Sequence, residues 1–161
     1  MTLPIARRIS IEEAESPEAV AELRALLLEY EADIGVDLCF QGFQEELASL
    51  PGSYARPNGR LFVARSGKEA IGCIALRRLQ HGDAEMKRLY VRPAARALGV
   101  GQLLVNGLIA AAREIGYKRV LLDTLPTMAR AQALYRSLGF VEIEAYCYNP
   151  VPGAQYFALE L

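Results

Sequence analysis

The sequence contains few of the residues that form disulfides and metal sites. Its 161 residues include three cysteines, one histidine and no tryptophan. Cys39, Cys73 and Cys147 are far apart and form no CxxC pair, and His81 has no second histidine beside it. A zinc site of sulfur and imidazole would therefore lack closely spaced ligands, and we expect no metal and no disulfide.

An excess of one charge and long apolar runs are also lacking. The 18 basic and 19 acidic side chains leave a formal net charge of -1. Proteins that bind phosphate backbones normally carry an excess of lysine and arginine, so we expect no nucleic-acid partner. No segment reaches the roughly 20 apolar residues of a membrane span, and we recognise no signal peptide. The sequence thus predicts a cytoplasmic protein that does not bind membranes.

What is present predicts one globular domain. Apolar residues make up 52% of the chain and charged residues 23%. A chain of this length is about the size of one domain and can bury about two-thirds of its unfolded surface. No repeat, low-complexity tract or linker divides the sequence, so we expect a single domain over residues 1–161.

Hydrophobic periodicity and turn residues predict alternating strands and helices. We expect strands at residues 7–13, 61–65, 70–76, 85–91, 119–123, 140–146 and 156–161. We expect helices at residues 17–35, 43–50, 101–115 and 127–138. This order favours an α/β (α+β) domain, with about four helices on both faces of a mixed, mostly antiparallel sheet of about seven strands. The step from residue 85 to 123 should be a parallel, right-handed crossover.

The segment of residues 91–101 joins a predicted strand to a predicted helix. Gly99 and Gly101 let the backbone pass close to a ligand, and the helix offers unpaired N–H groups and a positive dipole end. Arg96 adds a permanent charge with bidentate geometry. The segment therefore predicts an anion site that suits phosphate.

Two common nucleotide-binding motifs do not fit this segment. A Rossmann fingerprint needs a third glycine at position 104, where Leu104 stands. A P-loop needs lysine after its last glycine, but Gln102 follows Gly101. The expected phosphate ligand is therefore neither a dinucleotide nor ATP.

Three short motifs follow one another between residues 85 and 140. Residues 85–93 read EMKRLYVRP, residues 96–101 read RALGVG and residues 133–140 read ALYRSLGF. These motifs resemble the fourth strand, the acetyl-CoA signature and the C-terminal motif of the GCN5-related N-acetyltransferase (GNAT) superfamily. The predicted order of elements also matches that family from end to end.

The resemblance implies a GNAT fold and an N-acetyltransferase with acetyl-CoA as cosubstrate. The acetyl group would pass directly to a primary amine of a small molecule or peptide. Backbone groups of one strand would pair with the pantetheine arm, namely Leu89, Tyr90 and Val91. The pyrophosphate would lie on the amides of Arg96, Ala97, Leu98, Gly99, Val100, Gly101 and Gln102. A backbone N–H near residues 89–91 would stabilise the oxyanion.

Two residues are candidates for proton transfer in this chemistry. By the resemblance, Tyr135 occupies the position of the family's general acid, although it could simply pack beside Leu134. Glu85 is the candidate base, because some family members carry a catalytic glutamate there. Strand alternation would place Glu85 on the same face as Leu89 and Val91. The alternative is a solvated glutamate at the end of a strand.

One position departs from the family pattern. Many members have an asparagine seven residues before the motif tyrosine, where this chain has Met128. An asparagine contact to the cofactor is therefore not expected, and Thr124 or Thr127 could replace it.

The acceptor is less well defined by the sequence. In this family the first two helices help to shape the acceptor pocket, and the last loop between strands is another acceptor site. Candidates from these segments are Tyr30, Phe40, Phe43, Tyr54, Tyr146, Tyr148 and Asn149. His81 is expected in an exposed turn, and Arg77 and Arg78 are interpreted as solvated charges, with an acidic substrate group as the alternative. Family members often form homodimers. A catalytically weak acyl-CoA-binding regulatory module stays open as a second function.

Overall fold

A mixed sheet of seven strands forms the centre of the molecule. The computed structural model describes residues 8–36, 38 and 42–161. The strands are β1 (Ile9–Glu13), β2 (Arg60–Ser66), β3 (Glu69–Arg78), β4 (Asp83–Val91), β5 (Arg119–Thr124), β6 (Val141–Ile143) and β7 (Gln155–Glu160). They lie in the order β1-β2-β3-β4-β5-β7-β6, and only β4 and β5 pair in parallel among the described strands. The predicted mixed, mostly antiparallel sheet is confirmed.

Four α-helices within the described residues cover the two faces of this sheet. They are α1 (Pro17–Ile34), α2 (Phe43–Ser49), α3 (Val100–Ile115) and α4 (Ala129–Ser137). One core contains Leu104 and Leu108 of α3 and Tyr135 of α4. A second core, on the other face, contains Leu23 of α1 and Phe43 of α2. Across the described ranges, no helix is both long enough and apolar enough to cross a membrane.

The ends of α1 follow the signals in the sequence. The Ser16 side chain accepts a hydrogen bond from the backbone N–H of Ala19 at 3.1 Å, and Pro17 begins the helix. Gly35 ends it in the left-handed conformation with a φ of 66°. A capping hydroxyl of this kind contributes about 1 kcal/mol to stability. This helix forms one wall of the second core.

β4 contains one extra residue relative to its neighbour β3. Lys87 lies opposite Ala75, but Tyr90 lies opposite Cys73. Arg88 lies within this interval and adopts a left-handed φ of 63°. The insertion is a β-bulge, which reverses the alternation of side chains beyond it.

The bulge overturns one prediction about Glu85. Before the bulge, Ala84 and Met86 belong to the core on the α3 side. After it, Leu89 and Val91 pack against that same core. Glu85 lies between Ala84 and Met86 and therefore points to the opposite face. The prediction that Glu85 shares a face with Leu89 and Val91 is wrong, because it assumed an unbroken strand.

Arg88 fixes the bulge against α2. Its Nε and Nη2 donate to the two carboxylate oxygens of Glu46 at 2.9 and 3.0 Å. The guanidinium carbon lies 5.1 Å from the centroid of the Phe43 ring. The Tyr54 hydroxyl donates to the same Glu46 carboxylate at 2.9 Å. Because only 2% of the Arg88 side chain is exposed, its charge depends on this partner.

Two predicted elements differ from the structure at their ends. β6 covers only Val141–Ile143, not residues 140–146, because the chain then leaves the sheet edge and brings the Tyr146 hydroxyl to Glu85 at 2.6 Å. α4 begins at Ala129, since the Met128 N–H closes a turn to the Leu125 carbonyl at 3.0 Å. Residue 7 of the first predicted strand lies outside the described residues. The other elements end within a few residues of their predicted limits.

Replacement of Glu46 tests the anchoring of the bulge. We expect Glu46→Gln to lower the free energy of unfolding by about 3 kcal/mol, since it removes the negative charge that accepts two hydrogen bonds from the buried Arg88 guanidinium. Urea denaturation followed by circular dichroism measures the change. The neighbouring exposed Glu45 provides the control, and Glu45→Gln should cost less than about 0.5 kcal/mol. Equal stability of the two variants would contradict the anchoring role.

Candidate active site

A cleft opens between β4 and β5. The two strands pair only from Asp83 opposite Arg119 to Glu85 opposite Leu121. Beyond that point, β5 continues along β7 and β4 along β3. On its cleft side, the backbone of residues 86–91 therefore has no strand partner among the described residues, and its polar groups are available to a ligand. The adjoining groove has a volume of about 870 Å³.

The predicted anion loop forms one end of this groove. Residues Pro93–Leu98 make a short 3-10 helix, and Gly99 caps α3 with a φ of 75°, a conformation that favours glycine. A Cβ on Gly101 would lie 3.4 Å from the Leu134 side chain, so this glycine lets α4 pack closely. In the described chain no side chain caps the first turn of α3, which leaves its amides for a ligand.

Most of the predicted cofactor-binding residues line the groove. They are Leu89, Tyr90, Val91, Arg96, Gly99, Gly101 and Gln102. Ala97 and Leu98 are exposed in the loop, and Val100 is fully buried in the core beneath it. A contribution of these three residues would come from their backbone and stays a prediction.

The source of positive charge in the groove differs from the prediction, which assigned it to Arg96. Arg96 forms an ion pair with Asp33 at 2.7 Å and donates to the Val91 carbonyl at 3.0 Å, so its charge is partly neutralised. Arg130, at the start of α4, also lines the groove and makes no ion pair with the described residues. Sequence reasoning missed Arg130, because only the packing of α4 beside α3 brings it to this groove.

An inner pocket continues the groove through the sheet. It has a volume of about 60 Å³ and shares Tyr30, Leu89 and Met128 with the groove. Tyr135 lines it from the α4 side, and Asp123 also lines it. The pocket therefore connects the face that carries the anion loop with the face covered by α1 and α2.

Tyr135 is positioned by aromatic packing. Its ring centroid lies 5.8 Å from that of Phe140 and 6.2 Å from that of Phe157. The hydroxyl makes no hydrogen bond with any described residue, although the side chain lines the inner pocket. Burial, with smaller contributions from Tyr30 and Asp123, raises the pKa of Tyr135 above its usual value. The hydroxyl is therefore protonated at neutral pH and has a proton to donate.

Asp123 is the carboxylate that lines the inner pocket. It follows the buried residues Val120, Leu121 and Leu122 of β5, and its side chain is 8% exposed. The amide of Asn149 donates to its Oδ2 at 3.0 Å and holds the carboxylate in place. Sequence reasoning missed Asp123, although an acidic residue at the end of an apolar strand is a recognisable signal.

Glu85 is buried and paired. It is 1% exposed, which rules out the alternative of a solvated glutamate. Arg77 Nη2 lies 2.6 Å from its Oε1, and the Tyr146 hydroxyl donates to its Oε2 at 2.6 Å. Arg77 is thus an ion-pair partner and not a free surface charge. Glu85 does not line the inner pocket, whereas Lys87, two residues further along β4, does.

The remaining predicted residues lie in different parts of the molecule. Tyr30 and Asn149 line the inner pocket, and Met128 and Thr127 line the groove. Phe43 and Tyr54 lie in the second core and do not reach the cleft, while Tyr148 is 80% exposed. Thr124 contacts Met128, with Oγ1 3.7 Å from Sδ.

Two predicted residues, Cys39 and Phe40, lie outside the described residues. His81 is exposed in a turn, as predicted.

One cluster of metal-ligand residue types occurs in the described part of the chain. It joins Glu85, Asp123 and Cys147, whose ligand atoms lie within 4.8 Å of one another. Arg77 contacts one carboxylate, and the Lys87 ammonium lies 3.9 Å from both. These two cations balance the two carboxylates, and burial raises the pKa of the Cys147 thiol to about 11. The cluster is therefore better explained as a network of ion pairs.

Comparisons with known proteins agree with this geometry. Residues 20–140 match the model of the Acetyltransferase (GNAT) family. An uncharacterized N-acetyltransferase of Schizosaccharomyces pombe is 41% identical over 95% of both chains. One of Dictyostelium discoideum is 31% identical over 84% of this chain and 91% of its own. An acetyltransferase structure from Streptococcus agalactiae superposes with a TM-score of 0.80 at 22% identity, covering 96% of this chain and 99% of that one.

Replacing Gly99 tests the geometry of the anion loop. A Cβ at this position would contact nothing within 4 Å, so Gly99→Ala introduces only backbone strain. We expect a loss of about 1–2 kcal/mol in unfolding free energy and weaker binding of coenzyme A. Thermal unfolding and calorimetric titration measure the two effects. Gly107→Ala is the control, because it lies inside α3 at ordinary φ and should stabilise the helix. Unchanged binding of coenzyme A by Gly99→Ala would contradict the predicted role of this loop in binding an anion.

Proposed function

Because this chain belongs to the GNAT acetyltransferase family and is an N-acetyltransferase, we propose that it moves an acetyl group from acetyl-CoA to a primary amine. The observation that carries this proposal is the position of Tyr135. Its protonated hydroxyl has no hydrogen bond within the described chain and lines the pocket that joins the anion loop to Asp123. An acyl transfer needs a proton donor and a proton acceptor on opposite sides of the reacting carbon, and this pocket offers both.

The donor substrate fits the groove. The amides at the start of α3 and the side chain of Arg130 suit a pyrophosphate, and the free edge of β4 suits the amide groups of pantetheine. The pantetheine arm would add like a short strand beside residues 89–91. The thioester then enters the inner pocket next to Tyr135. A backbone N–H of the same edge supports the oxyanion of the tetrahedral intermediate.

The transfer needs no covalent enzyme intermediate. The acceptor ammonium first loses one proton to solvent, and the free amine nitrogen then attacks the carbonyl carbon of the thioester. Asp123 takes a second proton as the new N–C bond makes that nitrogen more acidic. The C–S bond then breaks, and Tyr135 gives its proton to the departing thiolate. The tyrosinate left behind is more basic than a thiolate or a carboxylate, because burial raises the pKa of Tyr135 above its usual value, so it regains a proton from the protonated Asp123 or from solvent.

Glu85 is a weaker candidate for the proton acceptor than Asp123. Its carboxylate is buried, and the Tyr146 hydroxyl and Arg77 occupy its oxygens. Contact between Glu85 and an acceptor amine would therefore need a relay through Tyr146 or water. Asp123 lines the pocket directly and is our first candidate for the proton acceptor.

Several finer predictions accompany this function. We propose that the reaction needs no metal, that the protein acts in the cytoplasm, and that its acceptor is a small molecule or peptide and not a nucleic acid or membrane. A homodimer also stays a prediction. These proposals are supported by the composition of the chain, and the balanced charges around Glu85 and Asp123 favour a metal-free site.

Tyr135→Phe tests the general acid. We expect turnover in a thiol-release assay with an amine panel to fall by about 100-fold or more, with little change in acetyl-CoA affinity. Phenylalanine keeps the packing against Phe140 and Phe157, so the loss would reflect the hydroxyl alone. The exposed Tyr148 gives a matched control, and Tyr148→Phe should retain turnover. Equal turnover of Tyr135→Phe and wild type would remove Tyr135 from this role.

The same assay tests the second candidate function. Binding of acetyl-CoA by the wild type without acetylation of any amine would point to the catalytically weak acyl-CoA-binding regulatory module instead.

Asp123→Asn and Glu85→Gln together identify the proton acceptor. Asparagine keeps the shape of Asp123 but takes no proton, so we expect kcat to fall by about 100-fold. Glu85→Gln should act mainly through the ion pair with Arg77 and lower kcat less. Steady-state kinetics with a saturating amine gives the comparison. A larger loss in Glu85→Gln than in Asp123→Asn would reverse the assignment and restore Glu85 as the base.

A further inference from the structure

Lys87 is a buried cation that the acetyl-transfer chemistry does not use. Its side chain is 7% exposed and lines the inner pocket. The ammonium lies 3.9 Å from Glu85 Oε1 and 3.9 Å from Asp123 Oδ1. Both distances exceed hydrogen-bond range, and Lys87 donates no hydrogen bond to the described residues. An ammonium with three unused donors therefore faces the pocket.

The other charges near the pocket are paired with one another. Arg77 binds Glu85 at 2.6 Å, and Arg88 binds Glu46 in a bidentate geometry at 2.9 and 3.0 Å. Among the described residues that line the pocket, this leaves one cation and one anion, Lys87 and Asp123, which pair with each other only at 3.9 Å. The matching ligand carries one negative and one positive group close together.

An amino carboxylate has this arrangement. Its amine nitrogen and carboxylate oxygens lie about 3 Å apart by covalent geometry. The charged atoms of Lys87 and Asp123 lie 3.9 Å apart, so one such molecule can contact both. A polyamine or a lysine side chain offers no anion and would leave the Lys87 donors unused.

Resting on the proposed function, we propose that the acceptor is an amino-acid-type amine, whose carboxylate binds Lys87 while its nitrogen lies against Asp123. Asn149, which also lines the pocket, donates a hydrogen bond to Asp123, and Leu38 and Tyr30 provide an apolar and an aromatic wall for the remaining side chain. The carboxylate gives the Lys87 ammonium the hydrogen-bonded partner that a buried charge requires.

The direction of the pKa shift of Lys87 supports this assignment. Burial lowers the pKa of its amine, against the opposing effect of Glu85 and Asp123. The charged form is thus only partly compensated by its neighbours, and an anionic ligand would complete the compensation.

The test uses pairs of acceptors that differ only in the carboxylate. Phenylalanine is compared with 2-phenylethylamine, and methionine with 3-(methylthio)propylamine, by thiol release at saturating acetyl-CoA. For the wild type we expect kcat/KM to be higher for the carboxylate-bearing member by about 10- to 100-fold, the value of a charged hydrogen bond. A preference for the decarboxylated members would overturn the proposal.

Variants of Lys87 connect that preference to the residue. Lys87→Met keeps the aliphatic chain but loses the charge, so the ratio of kcat/KM within each pair should fall towards one. Lys87→Arg should restore much of the ratio. Lys68→Met, in the exposed turn between β2 and β3, should keep the wild-type ratio. An unchanged ratio in Lys87→Met, with coenzyme A binding retained as proof of folding, would overturn the proposal.

The outcomes separate this inference from the function beneath it. Thiol release with both members of a pair at similar kcat/KM would leave acetyl transfer intact and refute the acceptor class. Absence of thiol release with every amine, despite bound coenzyme A, would instead refute acetyl transfer and the acceptor class with it.

Discussion

The contact between Arg88 and Glu46 is the interaction on which the site depends. A residue held at positive φ inside a strand is strained, and it persists only where neighbouring contacts compensate. The two hydrogen bonds to Glu46 and the Phe43 ring provide that compensation from α2. A short helix on one face of the sheet thus determines how the central strand runs.

The bulge has two consequences that together produce an acyl-transfer site. It lies beyond the last residue of β4 that pairs with β5, so the backbone along residues 86–91 stays open on that side. It also shifts the alternation of side chains along β4 by one residue, so that Lys87 and Leu89 face opposite sides of the sheet. Under the proposed function, the open edge would bind the donor on the α3 side, and the side chains on the other face would bind the acceptor. Donor and acceptor can therefore approach from opposite faces and meet in the inner pocket.

Local features of the fold could be predicted from the sequence, and features that depend on distant contacts could not. Gly99 and the apolar spacing of α3 identify the anion loop, because both are properties of a short segment. The face of Glu85 could not be predicted, since the bulge depends on Arg88 meeting a residue 42 positions earlier. The short β6 has a similar cause, because Tyr146 leaves the sheet edge to reach Glu85, 61 positions away. Arg130 could not be found because only tertiary packing brings it to the groove, whereas Asp123 was missed although it follows an apolar strand segment.

The two ends of the cleft differ in how they handle charge. At the end formed by the anion loop, the amides that begin α3 lie close to solvent, together with Arg130, which makes no ion pair with the described residues, and a highly charged ligand would keep much of its hydration there. At the acceptor end the charges are buried, and each needs a nearby opposite charge because desolvation is costly there. An acceptor with excess charge of either sign would disturb that balance, whereas one with matched charges would complete it. The net charge of -1 over the whole chain therefore conceals a local pair of opposite charges, Lys87 and Asp123, which under the proposed function would favour an acceptor with matched charges.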